Sequence, residues 1–269
     1  MQILHSSFFY SFMNNVLQVA YPIAAILLTG LLLGWLARKS FAFLWKSVGM
    51  PGVMLTAIVG VPVHELSHAF MCILFGHKID GIMLLDFSAL RGGQAGYVQH
   101  SYNPTNPWQA IGTFFISMGP VFGGVLLIWA ALQYLIPNPG LATGGLFMGQ
   151  IDWQAIYPAF AQLFSGLFDT AYLADPRWWI FMYIAVSIAS HMDPSATDYR
   201  SSAWGIAFIL VVTLLITAIF GSFSPNVQGL IDMATNRILM VLVLAVFFGL
   251  INFVLSYGIN TGYKLLFRK

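Results

Sequence analysis

The chain holds its only glutamate between two histidines, in His64-Glu65-Leu66-Ser67-His68, inside an apolar run from Pro51 to Phe75. A run of that length is enough to cross a bilayer as a helix. At that depth an ionisable side chain costs at least ~2.5 kcal/mol to insert, so it marks function and not packing. On a helix, residues four apart share a face, which lets His64 and His68 aim two imidazoles at one point. Glu65 is rotated about 100° from His64 and comes beside that point, where a carboxylate can take a proton from an activated water. Two histidines at this spacing with an adjacent glutamate form the ligand-and-base pattern of a zinc hydrolase.

Composition extends the membrane reading to the whole chain. Of 269 residues, 59% are hydrophobic and only 7% charged. Soluble domains carry about 25% charged residues, so this chain cannot cover a water-facing surface. The expectation is an all-α integral membrane protein with the lipid bilayer as its solvent. A net charge of +2 gives no ground for a nucleic-acid partner. The single cysteine, Cys72, rules out an intrachain disulfide and any CxxC motif and reads as a small core residue. Residues 1–15 lack a basic n-region and a small-residue cleavage site, so the first apolar span is expected to stay as a membrane helix.

Apolar segments predict about six spans, near residues 16–37, 51–75, 108–136, 178–192, 203–223 and 238–259. Between 152 and 169, apolar residues recur at helical spacing and predict an amphipathic interfacial helix. Residues 92–102 combine glycines with alternating β-branched and aromatic residues, which predicts a short strand or hairpin near the membrane surface. Pro62 is expected to kink the second span and open a path for water. His77, after Gly76 at a helix end, is expected to complement the helix dipole. With no internal repeat or low-complexity linker, 1–269 reads as a single polytopic membrane domain with both termini cytoplasmic.

A catalytic zinc has three protein ligands, so one must come from elsewhere in the chain. The candidates are His191, Asp193 and Asp198 in the polar segment that ends the 178–192 span. Pro194 breaks the helix there, and irregular backbone at membrane depth is tolerated only where it lines a cavity or is buried in protein. The plain alternative for Asp193 or Asp198 is a helix N-cap.

His64 to Ala69 within a span, the Gly119-Pro120 pair, and the segment from His191 to Arg200 together resemble the site-2 protease family of intramembrane zinc metalloproteases. The resemblance covers about residues 51–202, with helices 16–37, 203–223 and 238–259 added around that core. It implies a divergent bacterial branch of the family in the plasma membrane, cutting a peptide bond of a transmembrane protein or peptide at or within the bilayer. By resemblance, Asp198 is the third zinc ligand. His191 stands where the family has an asparagine thought to steady the substrate carbonyl or the tetrahedral intermediate, and Tyr199 replaces a glycine. The rival readings are a non-proteolytic membrane zinc protein, acting as a scaffold or chaperone, and a metal transporter. The fifth and sixth spans carry no ionisable residue, which weighs against the transporter.

Overall fold

Helices account for most of the computed structural model, which describes residues 2–87, 95–136, 158, 161, 165, 167, 168, 170–220 and 223–267, without the side chains of 2–8, 11, 171 and 240. In chain order the elements are α1 (Gln2–Ser47), α2 (Met50–Leu74), β1 (Lys78–Met83), β2 (Tyr97–Ser101), α3 (Pro107–Ser117), α4 (Gly119–Leu135), a turn α5 (Thr170–Leu173), α6 (Pro176–Ala189), α7 (Ala196–Phe220) and α8 (Pro225–Phe267).

Four of these helices, α1, α2, α7 and α8, are long and apolar enough to cross a membrane, and α3 with α4 makes a fifth if the bent pair counts as one span. Several long apolar helices fit a multi-pass membrane protein. The count corrects the expected six. The segment near 178–192 forms only the 14-residue α6, about 21 Å at 1.5 Å per residue, short of a ~30 Å hydrocarbon core. The span expected at 16–37 does not stop at Arg38-Lys39; its helix continues to Ser47. The one expected at 238–259 lies within the 43-residue α8. The span expected at 108–136 is bent by 61° between α3 and α4. Pro120 explains that break: it has no N–H to donate to the carbonyl four residues back, and its ring would clash there.

The segment expected to form an interfacial helix at 152–169 lies almost wholly outside the described residues. The expected strand is present: β2 pairs antiparallel with β1, from Lys78 opposite Ser101 to Met83 opposite Tyr97, with an irregularity between Ile79 and Gly81. Residues 92–94 of that motif are outside the described residues. Gly76, at φ 70°, adopts the left-handed conformation that closes α2 and sends the chain into β1. His77 is only 5% exposed, with its ring 3.1 Å from His100 Nδ1 and 2.8 Å from the Gln109 carbonyl. Burial pushes its pKa below the usual histidine value, so it is a neutral joint between α2, β2 and α3 and not the cationic helix end expected.

The main core joins α1, α3, α4, α6 and α8 around Leu33, Phe114, Val121, Phe181 and Phe248. Cys72 is fully buried, as its surroundings in sequence implied. α1 and α8 are tied along their length by Gln18 Nε2 donating to Asp232 (2.7 Å), Ser47 Oγ donating to Asn260 (3.1 Å), and Trp35 stacked on Phe253. This frame holds α2 against α4 and α6, so that its histidines meet the start of α7.

Candidate metal centre

His64, His68 and Asp198 come together although 130 residues separate the last two in the chain. Their ligand atoms all lie within 4.8 Å of one another, and they are the one such group of three found among the described residues. His64 Nε2 and His68 Nε2 are 3.1 Å apart, and His68 Nε2 is 3.6 Å from Asp198 Oδ1. Ligand bonds of ~2.05 Å at a tetrahedral angle leave ligand atoms about 3.3 Å apart, so both separations suit one small ion.

The ring nitrogens facing away from this point fix the tautomers. His64 Nδ1 is 2.6 Å from the His191 carbonyl and His68 Nδ1 is 2.7 Å from the Ile116 carbonyl. A carbonyl only accepts, so both Nδ1 atoms carry the proton and both Nε2 atoms present a lone pair. Two lone pairs and a carboxylate oxygen then lie within 4.8 Å of one another, a donor set that could hold a cation. Histidines that ligate metals typically donate their other N–H to such an outer partner.

Neither outer carbonyl has the i+4 backbone donor of a continuing helix: Ile116 O, which also takes the Met118 cap N–H, faces Pro120, and His191 O lies past the end of α6 at Ala189. In a continuing helix Ile116 O would accept from residue 120, but Pro120 has no N–H. His191 O would accept from Ser195, but the chain leaves α6 before Pro194, and Ser195 N donates instead to Asp198 Oδ2 at 2.7 Å. The Gly119-Pro120 pair was visible in the sequence. Its use as a holder of His68, through the Ile116 carbonyl, was not.

Asp198 divides its carboxylate between two tasks. Oδ2 accepts from Ser195 N and Ser195 Oγ, both at 2.7 Å, while Asp198 N donates to Ser195 Oγ at 3.2 Å. This is a capping box at the start of α7. Oδ1 is left to face His68. Ser195 is therefore the N-cap and Asp198 the third helical residue of the box, which corrects the N-cap alternative for Asp198 and leaves Oδ1 available to the histidine pair. Ser195 was missed as a functional residue, although its spacing of three from Asp198 is the sequence signal of a capping box.

The other candidates lie apart from the ligand group. Asp193 stands beside α1, near Arg38 and Gly34. The His191 ring has Nδ1 3.0 Å from the Ser187 carbonyl and, with Ser40 and Thr56, lines a small cavity; its backbone carbonyl, not its ring, touches the histidine pair. Glu65 is 7% exposed and abuts the hairpin: a Cβ placed on Gly96 would stand 2.7 Å from Glu65 Cγ and 2.9 Å from both Glu65 Oε1 and the Met83 carbonyl. Only glycine lets β2 begin this close to the glutamate. α2 runs as one helix through Pro62.

The group has the donor chemistry to hold a metal ion. Comparisons with protein-family models, with curated proteins and with solved structures returned no match.

Proposed function

We propose that the chain is an intramembrane zinc metallopeptidase of the site-2 protease type, acting on a transmembrane protein or peptide in a bacterial plasma membrane. The observation that carries the reading is the pair of Nε2 lone pairs 3.1 Å apart with Asp198 Oδ1 beside them and Glu65 one residue along the same helix. Two imidazoles and one carboxylate are the ligand set of hydrolytic zinc sites, which keep one position open. Zinc, when bound, supplies Lewis-acid activation of water and of the scissile carbonyl.

The remaining chemistry belongs to the chain. His64 and His68 are held in the ligating tautomer by the His191 and Ile116 carbonyls. Glu65, poorly accessible and adjacent to the ligands, takes a proton from the attacking water and delivers it to the departing amine. Gly96, immediately before β2, puts the hairpin within contact of Glu65. A substrate segment must unwind to expose a carbonyl, and an extended segment adds to a strand edge through main-chain bonds. The α6–α7 break and the α3–α4 bend supply the irregular backbone that a wet site within a bilayer requires.

The test is reconstitution of purified protein with a pool of single-span membrane proteins, reading newly formed N-termini by mass spectrometry. Wild type is expected to generate cut sites within or next to the spans, and Glu65→Gln none while retaining its metal. Equal cleavage by both proteins would refute the assignment of Glu65. A wild type that holds zinc but cuts nothing would favour a scaffold.

A further inference from the structure

The first helix lies outside the protease-like core, yet one face of it reaches the segment that carries Asp198. Gly30, Gly34 and Arg38 are spaced by four and so share that face. A Cβ on Gly30 would stand 2.5 Å from the Tyr199 hydroxyl and 3.3 Å from Pro194 Cγ. A Cβ on Gly34 would stand 3.6 Å from Asp193 Oδ2 and 3.1 Å from Arg38 Nη1. Long side chains on a helix turn back toward its N-terminus over the residue four earlier. Arg38 does this, laying its guanidinium over Gly34 on the side where Asp193 sits. Burial pushes the Asp193 pKa up to about 6, and the Arg38 charge opposes that rise. Two residues beyond Arg38, and so on another side of the helix, Ser40 is 1% exposed and its hydroxyl has no hydrogen-bond partner among the described residues. It lines the small cavity beside His191. Contacts from α1 therefore run along 191–199, from the residue whose carbonyl holds His64 to the residue after Asp198.

We infer that Arg38 is a positioning residue: through Asp193 it fixes the 191–199 segment, and with it both the Asp198 ligand and the His191 carbonyl behind His64. A cation in an apolar helix needs a partner and a reason, and Asp193 is the acidic group beside it. The two glycines let the α1 backbone approach the segment closely, with Asp193 and the Arg38 guanidinium on the same side of Gly34. The inference rests on the zinc-site reading of His64, His68 and Asp198, but not on peptidase activity.

The experiment titrates Zn2+ against the metal-stripped full-length protein in detergent and records the visible absorption of its Co2+ form, for wild type, Arg38→Gln, Arg38→Lys, Asp193→Asn and the Arg38→Gln/Asp193→Asn pair. Thermal unfolding of the metal-free proteins serves as the control for a purely structural effect. Loss of an outer partner typically costs roughly 10–100-fold in metal affinity. Arg38→Gln and Asp193→Asn are each expected to show that loss with an altered Co2+ spectrum. The pair is expected to be no worse than either alone, and Arg38→Lys to recover most of the affinity. Wild-type Zn2+ affinity and Co2+ spectrum in Arg38→Gln would overturn the inference. If that variant does not fold, Asp193→Asn decides by the same criterion. Additive losses in the pair would also overturn it, since they mean that Arg38 does not act through Asp193. A wild type that binds zinc but cleaves nothing would sink the peptidase reading and leave this one standing.

Discussion

His68 Nε2 stands 3.6 Å from Asp198 Oδ1, so the second histidine of α2 and the third residue of α7 share one point in space. The same carboxylate caps its own helix through Oδ2. These two uses are separable. Ser195→Ala removes one of the two bonds to Oδ2 and is expected to cost ~1 kcal/mol, a lowering of the melting temperature by a few degrees, with metal retained. Asp198→Asn keeps a side-chain oxygen for the cap but loses the anionic ligand. Its metal affinity should fall by more than the roughly 100-fold that marks loss of an outer partner. Elemental analysis and thermal unfolding of the two variants check this together.

Pro120 is expected to matter for metal binding although it touches no ion. With Pro120→Ala, residue 120 regains an N–H that competes with His68 Nδ1 for the Ile116 carbonyl. An intact helix gains a backbone bond while His68 loses its tautomer lock. The expected outcome is roughly 10–100-fold weaker zinc binding without loss of thermal stability, measured by competition with a chelator.

A substitution at Gly96 probes Glu65 separately from the His64, His68 and Asp198 group. A methyl group there meets Glu65 Cγ at 2.7 Å, and displacing a catalytic group by ~1 Å costs about 100-fold in rate. Gly96→Ala should therefore lower turnover by that order while zinc content stays at the wild-type level.

His77 gives a pH prediction. Its pKa is lowered by burial, so the folded chain resists a proton that the unfolded chain accepts below its ordinary value of about 6.5. Stability is then lost as pH falls through that value. His77→Gln cannot take the proton, and its stability should fall less steeply between pH 7 and 5 than that of wild type, as followed by thermal unfolding.

The parts of the site that depend on local spacing were legible in the sequence. His64, Glu65 and His68 follow from the spacing of the motif, whereas chemistry and spacing left His191, Asp193 and Asp198 open, and only the resemblance to the site-2 protease family singled out Asp198. Lengths were less legible. Hydropathy marks where a helix is apolar, not where it ends, so Arg38-Lys39 reads as a stop although α1 passes through it to Ser47. The α3–α4 bend at Pro120 merged into one apolar run for the same reason. Long-range roles of backbone atoms were hidden altogether. Nothing in the composition of residues 116 or 191 says that their carbonyls hold histidines, because that depends on which helices meet. Likewise Asp193 was a ligand candidate by chemistry and sequence proximity, and tertiary packing put it beside Arg38 instead.

The most direct test is a zinc-edge anomalous diffraction map of the purified wild-type protein. The account predicts one zinc ion about 2.0–2.2 Å from His64 Nε2, His68 Nε2 and Asp198 Oδ1, with Glu65 beside it and outside its ligand set. A protein that takes up no zinc, or one whose zinc is held by His191, Asp193 or the Glu65 carboxylate in place of Asp198, would contradict it.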